Sequence, residues 1–219
     1  MKILVFSDSH LDHNFEPEKL SFLQKRIEES DQVILNGDFW EGYSISFEYF
    51  LKSDWRKLFP SLKKKQTIYI YGNHDKKTLS DERVKQFCDT AIMQYRLKTK
   101  QFTYVFEHGN RVVPFFDDLL HIKRLPTWLN DFLAGSESRA VQLLGEQALP
   151  DLYGKFNMDA KKKIPKLFKP SEVLVCGHTH VAEVDLANRF VNSGLVRHGL
   201  AQYLIFENGL PVLYKDRYR

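Results

Sequence analysis

Five short polar clusters, Asp8-Ser9-His10, Gly37-Asp38, Gly72-Asn73-His74-Asp75, His108-Gly109 and Gly177-His178-Thr179-His180, each follow directly on an apolar, strand-like run. This repetition constrains the fold more than any other feature of the chain. In an open α/β sheet the ligand crevice lies outside the carboxyl ends of the strands, so loops that follow strands converge on one place. Residues as far apart as 8 and 180 can then share a site. The side chains delivered there are mixed carboxylate, amide and imidazole donors: Asp8, His10, Asp38, Asn73, His108, His178 and His180. So large a set exceeds what one tetrahedral ion uses, and it suits two divalent cations sharing a carboxylate.

Apolar runs predict strands over 3–6, 33–35, 67–71, 91–97, 102–107 and 172–176, and then near 181–184, 190–191, 203–206 and 211–214. Leu20, Leu23 and Ile27 stand at helical spacing and predict a helix over 17–30; further helices are expected over 45–58 and 79–87. Alternating strands and helices followed by consecutive strands imply an α/β fold of two stacked sheets flanked by helices. Between 110 and 170 the pattern changes, because Pro114, Pro126, Pro150, Pro165 and Pro170 punctuate apolar helical segments with no strand signal. The expectation is one domain over 1–219 carrying a helical insertion at 110–170. Phe115, Phe116, Trp128, Leu129, Phe132 and Leu133 make that insertion unusually apolar, and Lys123 and Arg124 are among its cations. Two readings stand: a subdomain burying its own core, or a cap over an amphiphilic phosphorylated substrate, with Lys123 and Arg124 as substrate-binding residues.

The 32 basic residues are interleaved with 28 acidic ones, and the net charge of +4 favours anionic substrates without predicting a specific nucleic-acid partner. Cys88 and Cys176 have no paired spacing and read as small buried apolar residues of a reducing compartment. Ile3 to Phe6 is too short for the core of a signal peptide, and no apolar run approaches the roughly 18 residues of a membrane-spanning helix. The expected location is the cytoplasm, with peripheral contact at the inner face of the membrane left open, as is the oligomeric state.

In order and in full, the five clusters match the pattern D-x-H, G-D, G-N-H-[DE], H-G and G-H-x-H, and the chain resembles the calcineurin-like metallophosphoesterase superfamily over residues 8–180. The resemblance implies the two-sheet metallophosphoesterase sandwich, here with a helical cap insertion. It also implies that Asp8, His10, Asp38 and His180 hold a first metal ion and Asp38, Asn73, His108 and His178 a second, with Asp38 bridging. The donors suit manganese, with iron or zinc as alternatives. A hydroxide bridging the ions is the expected nucleophile, since metal binding brings the pKa of water toward roughly 7. Asn73 and His74 are expected to contact substrate. His74 is the catalytic residue by the same resemblance, donating a proton to the leaving oxygen or stabilising transition-state charge, with Asp75 expected to orient it. His13, His121 and His198 fall outside the clusters and read as surface or supporting residues, His198 nearest the site.

The stretch Gly37-Asp38-Phe39-Trp40-Glu41-Gly42-Tyr43 is similar to an extended element of the bacterial UDP-2,3-diacylglucosamine hydrolases. The helical insertion between His108 and His178 is similar in place and size to the one with which those enzymes bury acyl chains. Two positions depart from that type: His74 stands where those enzymes usually carry Arg, and Asn110 where they carry Asp. The resemblance implies a hydrolase of phosphoester or diphosphate bonds acting on a phosphorylated small molecule or a lipid-linked substrate. A soluble phosphodiesterase of cyclic nucleotides or nucleic acid, and a noncatalytic scaffold of the same fold, are the alternatives.

Overall fold

A computed structural model describes residues 1–120 and 125–219. Lys123 and Arg124, and with them His121, lie outside the described residues.

The first three parallel strands form by burying apolar side chains on both faces. In β1 (Ile3–Phe6), Ile3 and Val5 point toward the second sheet, while Leu4 and Phe6 point toward helices, so all four are buried. α1 (Pro17–Glu28) starts with Pro at its first turn and packs Leu20, Leu23 and Ile27 against that outer face. β2 (Gln32–Asn36) follows and pairs with β1 in parallel. α2 (Phe47–Lys52) and α3 (Phe59–Lys64) then lead to β3 (Ile68–Ile70), which pairs with β2, and β4 (Thr90–Ile92) pairs with β3, also in parallel.

The second sheet holds β5 (Tyr95–Lys98), β6 (Thr103–Phe106), β7 (Glu172–Cys176), β8 (Glu183–Asp185) and β9 (Phe190–Asn192) in the order β5-β6-β7-β9-β8. Its central strands β6, β7 and β9 are parallel. β10 (Val196–Arg197), β11 (Leu200–Glu207) and β12 (Leu210–Arg217) return to the first sheet, where β11 lies antiparallel to β1. Ile3, Val5, Ile34 and Ile70 of one sheet meet Tyr104, Phe106, Val173 and Val175 of the other in a dry interface. Between β6 and β7 the described chain is helical: α4 (Phe116–Leu119), α5 (Thr127–Leu144) and α6 (Ala148–Leu167). No helix among the described residues is long and apolar enough to cross a membrane. Cys88 and Cys176 are both buried thiols.

Three local expectations are corrected. The run 91–97 is not one strand, because β4 and β5 belong to different sheets and Met93-Gln94 makes the crossing; an apolar run carries no signal for such a corner. The helix expected over 45–58 breaks at Ser53, whose backbone is extended and whose hydroxyl bonds the carbonyl of Phe50 at 2.7 Å. It resumes as a 3-10 turn, Asp54–Leu58, and then as α3. Over 79–87 the chain forms two 3-10 turns, Lys77–Leu79 and Glu82–Gln86, the second capped by Asp81 accepting from the Arg83 N–H at 3.0 Å.

Candidate metal centre

Because β1, β2 and β3 are adjacent and parallel, the loops that follow them open on one edge of the first sheet; β6 and β7 do the same in the second. Asp8 and His10 leave β1, Asp38 leaves β2, Asn73 and His74 leave β3, His108 leaves β6, and His178 and His180 leave β7. All of them except His74 and His180 are buried.

The backbone is bent to present them. Asp8, His10, Asp38, His178 and His180 take positive φ angles of 52°, 42°, 52°, 66° and 60°, a region that costs a non-glycine residue about 1–3 kcal/mol. Such strain persists only where surroundings over-determine it, and here it is concentrated on expected ligands. Close approach explains two glycines. A Cβ on Gly177 would lie 2.2 Å from Asp8 Oδ2, and one on Gly72 would lie 2.1 Å from Asp38 Oδ1.

The donor atoms meet across a few ångströms. His108 Nε2 is 3.1 Å from Asp38 Oδ2, 3.0 Å from Asn73 Oδ1 and 4.0 Å from Asp8 Oδ1. His180 Nε2 is 3.4 Å from Asp8 Oδ1, and His10 Nε2 is 3.9 Å from Asp38 Oδ2. Three compact triads result among the described residues, Asp8-His10-His180, Asp8-Asp38-His108 and His10-Glu41-His74, each with its donor atoms within 4.8 Å of one another. Asp8 is common to the first two, and Asp38 Oδ2 lies near the rings of both His108 and His10. The far nitrogen of each ring is already engaged. His10 Nδ1 donates to Glu41 at 2.9 Å, His108 Nδ1 to the Asn36 carbonyl at 3.1 Å, and His180 Nδ1 to Glu137 at 2.7 Å. In His178 the roles reverse, because Nε2 donates to the Val113 carbonyl at 2.9 Å, and His178 belongs to none of the compact triads.

These residues fit divalent ions on a specific observation. His10 Nε2 is buried and has no hydrogen-bond partner, yet it faces Asp38. An orphaned lone pair beside buried carboxylates is costly in a protein interior, and a cation between them removes the cost.

Electrostatics agree. Burial opposes ionisation of Asp38, but the imidazoles of His108 and His74 outweigh it and hold the carboxyl well below the usual carboxylate range. Burial likewise opposes charge on His108, yet Asp38 and Asp8 push its pKa up to about 10. His180 is pushed up to about 10 by Glu137 and Asp8 against its own burial. His10 and His178 go the other way, to about 4 and about 3, chiefly through burial, with the charges of Arg197 and His108 respectively adding to it. Without metal, two imidazolium protons therefore neutralise the carboxylates at neutral pH.

The expectation that Asp75 orients His74 is corrected. The buried carboxylate on the His74 ring is Glu41, which accepts from Nδ1 at 2.8 Å and also accepts from His10. Asp75 accepts the backbone N–H groups of Asp38, Phe39 and Gly72 and so stitches the β2 and β3 loops together. The His74 backbone N–H donates to Asp38 Oδ1 at 2.8 Å, and its ring lies 4.2 Å from that of Tyr43. His198 donates to Glu137 at 3.0 Å, while His13 lies 3.6 Å from Asp131. Glu137 and the cavity-lining Arg197 carried no motif that would have singled them out.

A cavity of about 680 Å³ opens beside these groups. His10, Asp38, Asn73, His74, His178 and His180 line it together with the apolar Phe115, Phe116, Leu125, Leu129, Leu133 and Phe156.

A family model of calcineurin-like phosphoesterases matches residues 1–182. The chain belongs to that family. As a calcineurin-like phosphoesterase it is, in general terms, a metal-dependent phosphoester hydrolase that uses divalent ions. Solved structures similar to it include the phosphoesterase Yfce from E. coli, at 15% identity with 100% of both chains covered and a TM-score of 0.49. An archaeal phosphodiesterase is similar at 16% identity, with 99% of each chain covered and a TM-score of 0.46. Vps29 from Entamoeba histolytica, solved with zinc, is similar at 15% identity, with 100% of both chains covered and a TM-score of 0.45. No curated protein matches the chain in sequence.

Because ligating histidines must be neutral, metal uptake has to expel the protons that His108 and His180 carry below about pH 10. Titration calorimetry in buffers of different ionisation enthalpy should show release of about two protons per chain at pH 7. The number should fall toward zero as pH rises past the raised values. Metal uptake with no proton release at pH 7 would contradict the arrangement.

Proposed function

We propose that this calcineurin-like phosphoesterase hydrolyses phosphoester or diphosphate bonds of an amphiphilic phosphorylated substrate at a two-ion centre. Asp8, His10, Asp38 and His180 hold one ion in this reading, and Asp38, Asn73, His108 and His178 the other; manganese is the ion proposed, with iron or zinc as alternatives. The observation that carries the reading is one cavity lined both by candidate donors, among them His10, Asp38, Asn73, His178 and His180, and by apolar side chains. Its volume falls in the range of small-molecule sites.

When bound, divalent ions supply Lewis acidity toward the phosphoryl oxygens and a water acidic enough to attack at neutral pH. The chain's own residues do the rest. Asn73 is a neutral ligand, so it leaves net positive charge for the phosphate. His74, anchored through Nδ1 by the buried Glu41, uses Nε2 as its working nitrogen to protonate the leaving oxygen. Arg197 lines the cavity and contributes a fixed cation for the substrate's anionic groups. Lys123 and Arg124 retain the substrate-binding role proposed from sequence.

Leu129 and Leu133 stand one turn apart on the cavity side of α5. They suit an acyl or similarly apolar group, as in a UDP-2,3-diacylglucosamine-like molecule. Trp128 and Phe132 lie outside this lining at 70% and 65% exposure. Their exposure suits peripheral contact with the inner membrane surface in a cytoplasmic protein, and they are not the side chains proposed to grip the substrate. One observation favours a second reading. The histidine at position 74, where the diacylglucosamine enzymes usually carry Arg, suits a soluble phosphodiesterase.

His74→Ala should lower kcat by roughly 10²- to 10⁴-fold, the range for a lost proton donor. Elemental analysis should find its metal content unchanged. Parallel loss of metal would make His74 a ligand and reject the assigned role.

Chelator-sensitive, Mn²⁺-restored hydrolysis of an acylated nucleotide-sugar diphosphate would support the reading. Leu129→Ala and Leu133→Ala should raise its KM about tenfold, since burying one such side chain against a ligand contributes about 1.5–3 kcal/mol. Turnover of a small aryl phosphodiester should be spared. Equal loss on both substrates would reject the amphiphile; no hydrolysis of the acylated substrate beside active cleavage of the diester would favour the soluble phosphodiesterase.

A further inference from the structure

α5 leaves its large apolar side chains Trp128, Phe132, Leu143 and Leu144 exposed, whereas its buried residues are Asn130, Glu137 and Val141. A helix that buries a carboxylate in preference to its leucines must give that carboxylate strong partners. Glu137 has two. Oε1 accepts from His180 Nδ1 at 2.7 Å, and Oε2 accepts from His198 Nε2 at 3.0 Å. On the far side of the same ring, His180 Nε2 lies 3.4 Å from Asp8. The path from helix to centre is therefore carboxylate, imidazole, carboxylate.

Other contacts from the same segment fall on the same cluster. The Tyr153 ring of α6 stands edge-on to His180 at 5.5 Å. Phe115 packs on His178 at 4.1 Å, and the Val113 carbonyl fixes its Nε2. Both histidines of the last cluster are held from residues 113–153.

We propose that Glu137 is a positioning residue that makes the helical segment between β6 and β7 the outer support of the metal centre, so that metal occupancy and docking of α5 form one equilibrium. Once an ion takes the place of the Nε2 proton, a carboxylate on Nδ1–H holds the ring with Nε2 toward the centre and makes that nitrogen more basic. His198 holds the second oxygen and so keeps the carboxylate in place. By linkage the effect is reciprocal: whatever the docked Glu137 contributes to metal affinity, a bound ion contributes equally to the docking of α5. Leu133 and Leu129 precede Glu137 by one and two helical turns and line the cavity. The apolar wall of the cavity is then set in place by metal loading.

The inference rests on the metal-centre reading, and its test separates the two. Chelator-stripped wild type, Glu137→Ala and Glu137→Gln are titrated with Mn²⁺ by calorimetry, and amide hydrogen exchange over 127–144 is followed with and without the ion. Mn²⁺ should slow exchange across that helix in the wild type. Glu137→Ala should weaken affinity for one ion by about 10- to 100-fold, the usual range for a lost partner of a ligating histidine, and abolish the slowing. Glu137→Gln keeps an acceptor but loses the charge, should weaken binding about tenfold, and serves if the alanine variant does not fold. Wild-type affinity in the variants, or exchange over 127–144 that ignores Mn²⁺ in the wild type, overturns the proposal. Failure of the wild type to bind Mn²⁺ at all overturns the centre itself and the proposal with it.

Discussion

Asp8 and Asp38 are buried side by side at the carboxyl ends of two neighbouring strands, and the rest of the structure answers to that placement. Ionised carboxylates out of water cost several kcal/mol each unless countercharge is built around them. In this chain the countercharge comes from imidazoles on loops of both sheets, which is why strands from two layers must end in register at one edge. The same placement accompanies the strain: candidate donors in left-handed backbone and glycines pressed against carboxylates sit where the converging loops over-determine the backbone.

Strand ends were the most legible part of the sequence. β1, β2, β6 and β7 are short, largely buried runs, and the second residue past each is a candidate donor, Asp8, Asp38, His108 and His178, so position and chemistry were encoded together. The break between β4 and β5 was not legible, since Met93-Gln94 interrupts neither hydropathy nor turn chemistry and only the packing of two sheets makes it a corner. Val196–Arg197 was too short to register as a strand, which also hid Arg197 as a cavity residue.

The candidate donors were legible as residues that follow strands, and the carboxylates that hold their rings were not. Pairing between a ring and its carboxylate is set by three-dimensional reach: Glu41 meets His74 across 33 positions and Glu137 meets His180 across 43. Adjacency pointed to Asp75 for His74, but that carboxylate is spent on backbone N–H groups of the two loops it joins. Glu137 left a faint trace, an acidic residue at helical spacing from Leu129 and Leu133, a pattern that ordinarily reads as a solvated face. Its burial shows that the helical segment is bound to the centre by polar contacts as well as by packing.

The central claim is that these seven donors form one pooled centre for two ions. Anomalous diffraction from crystals grown with Mn²⁺ tests it most directly, because the signal locates the ions independently of activity. The account predicts two peaks per chain, both within coordination distance of Asp38, one shared with His10 and His180 and the other with Asn73 and His108. A single peak, or peaks that Asp38 does not touch, would contradict it.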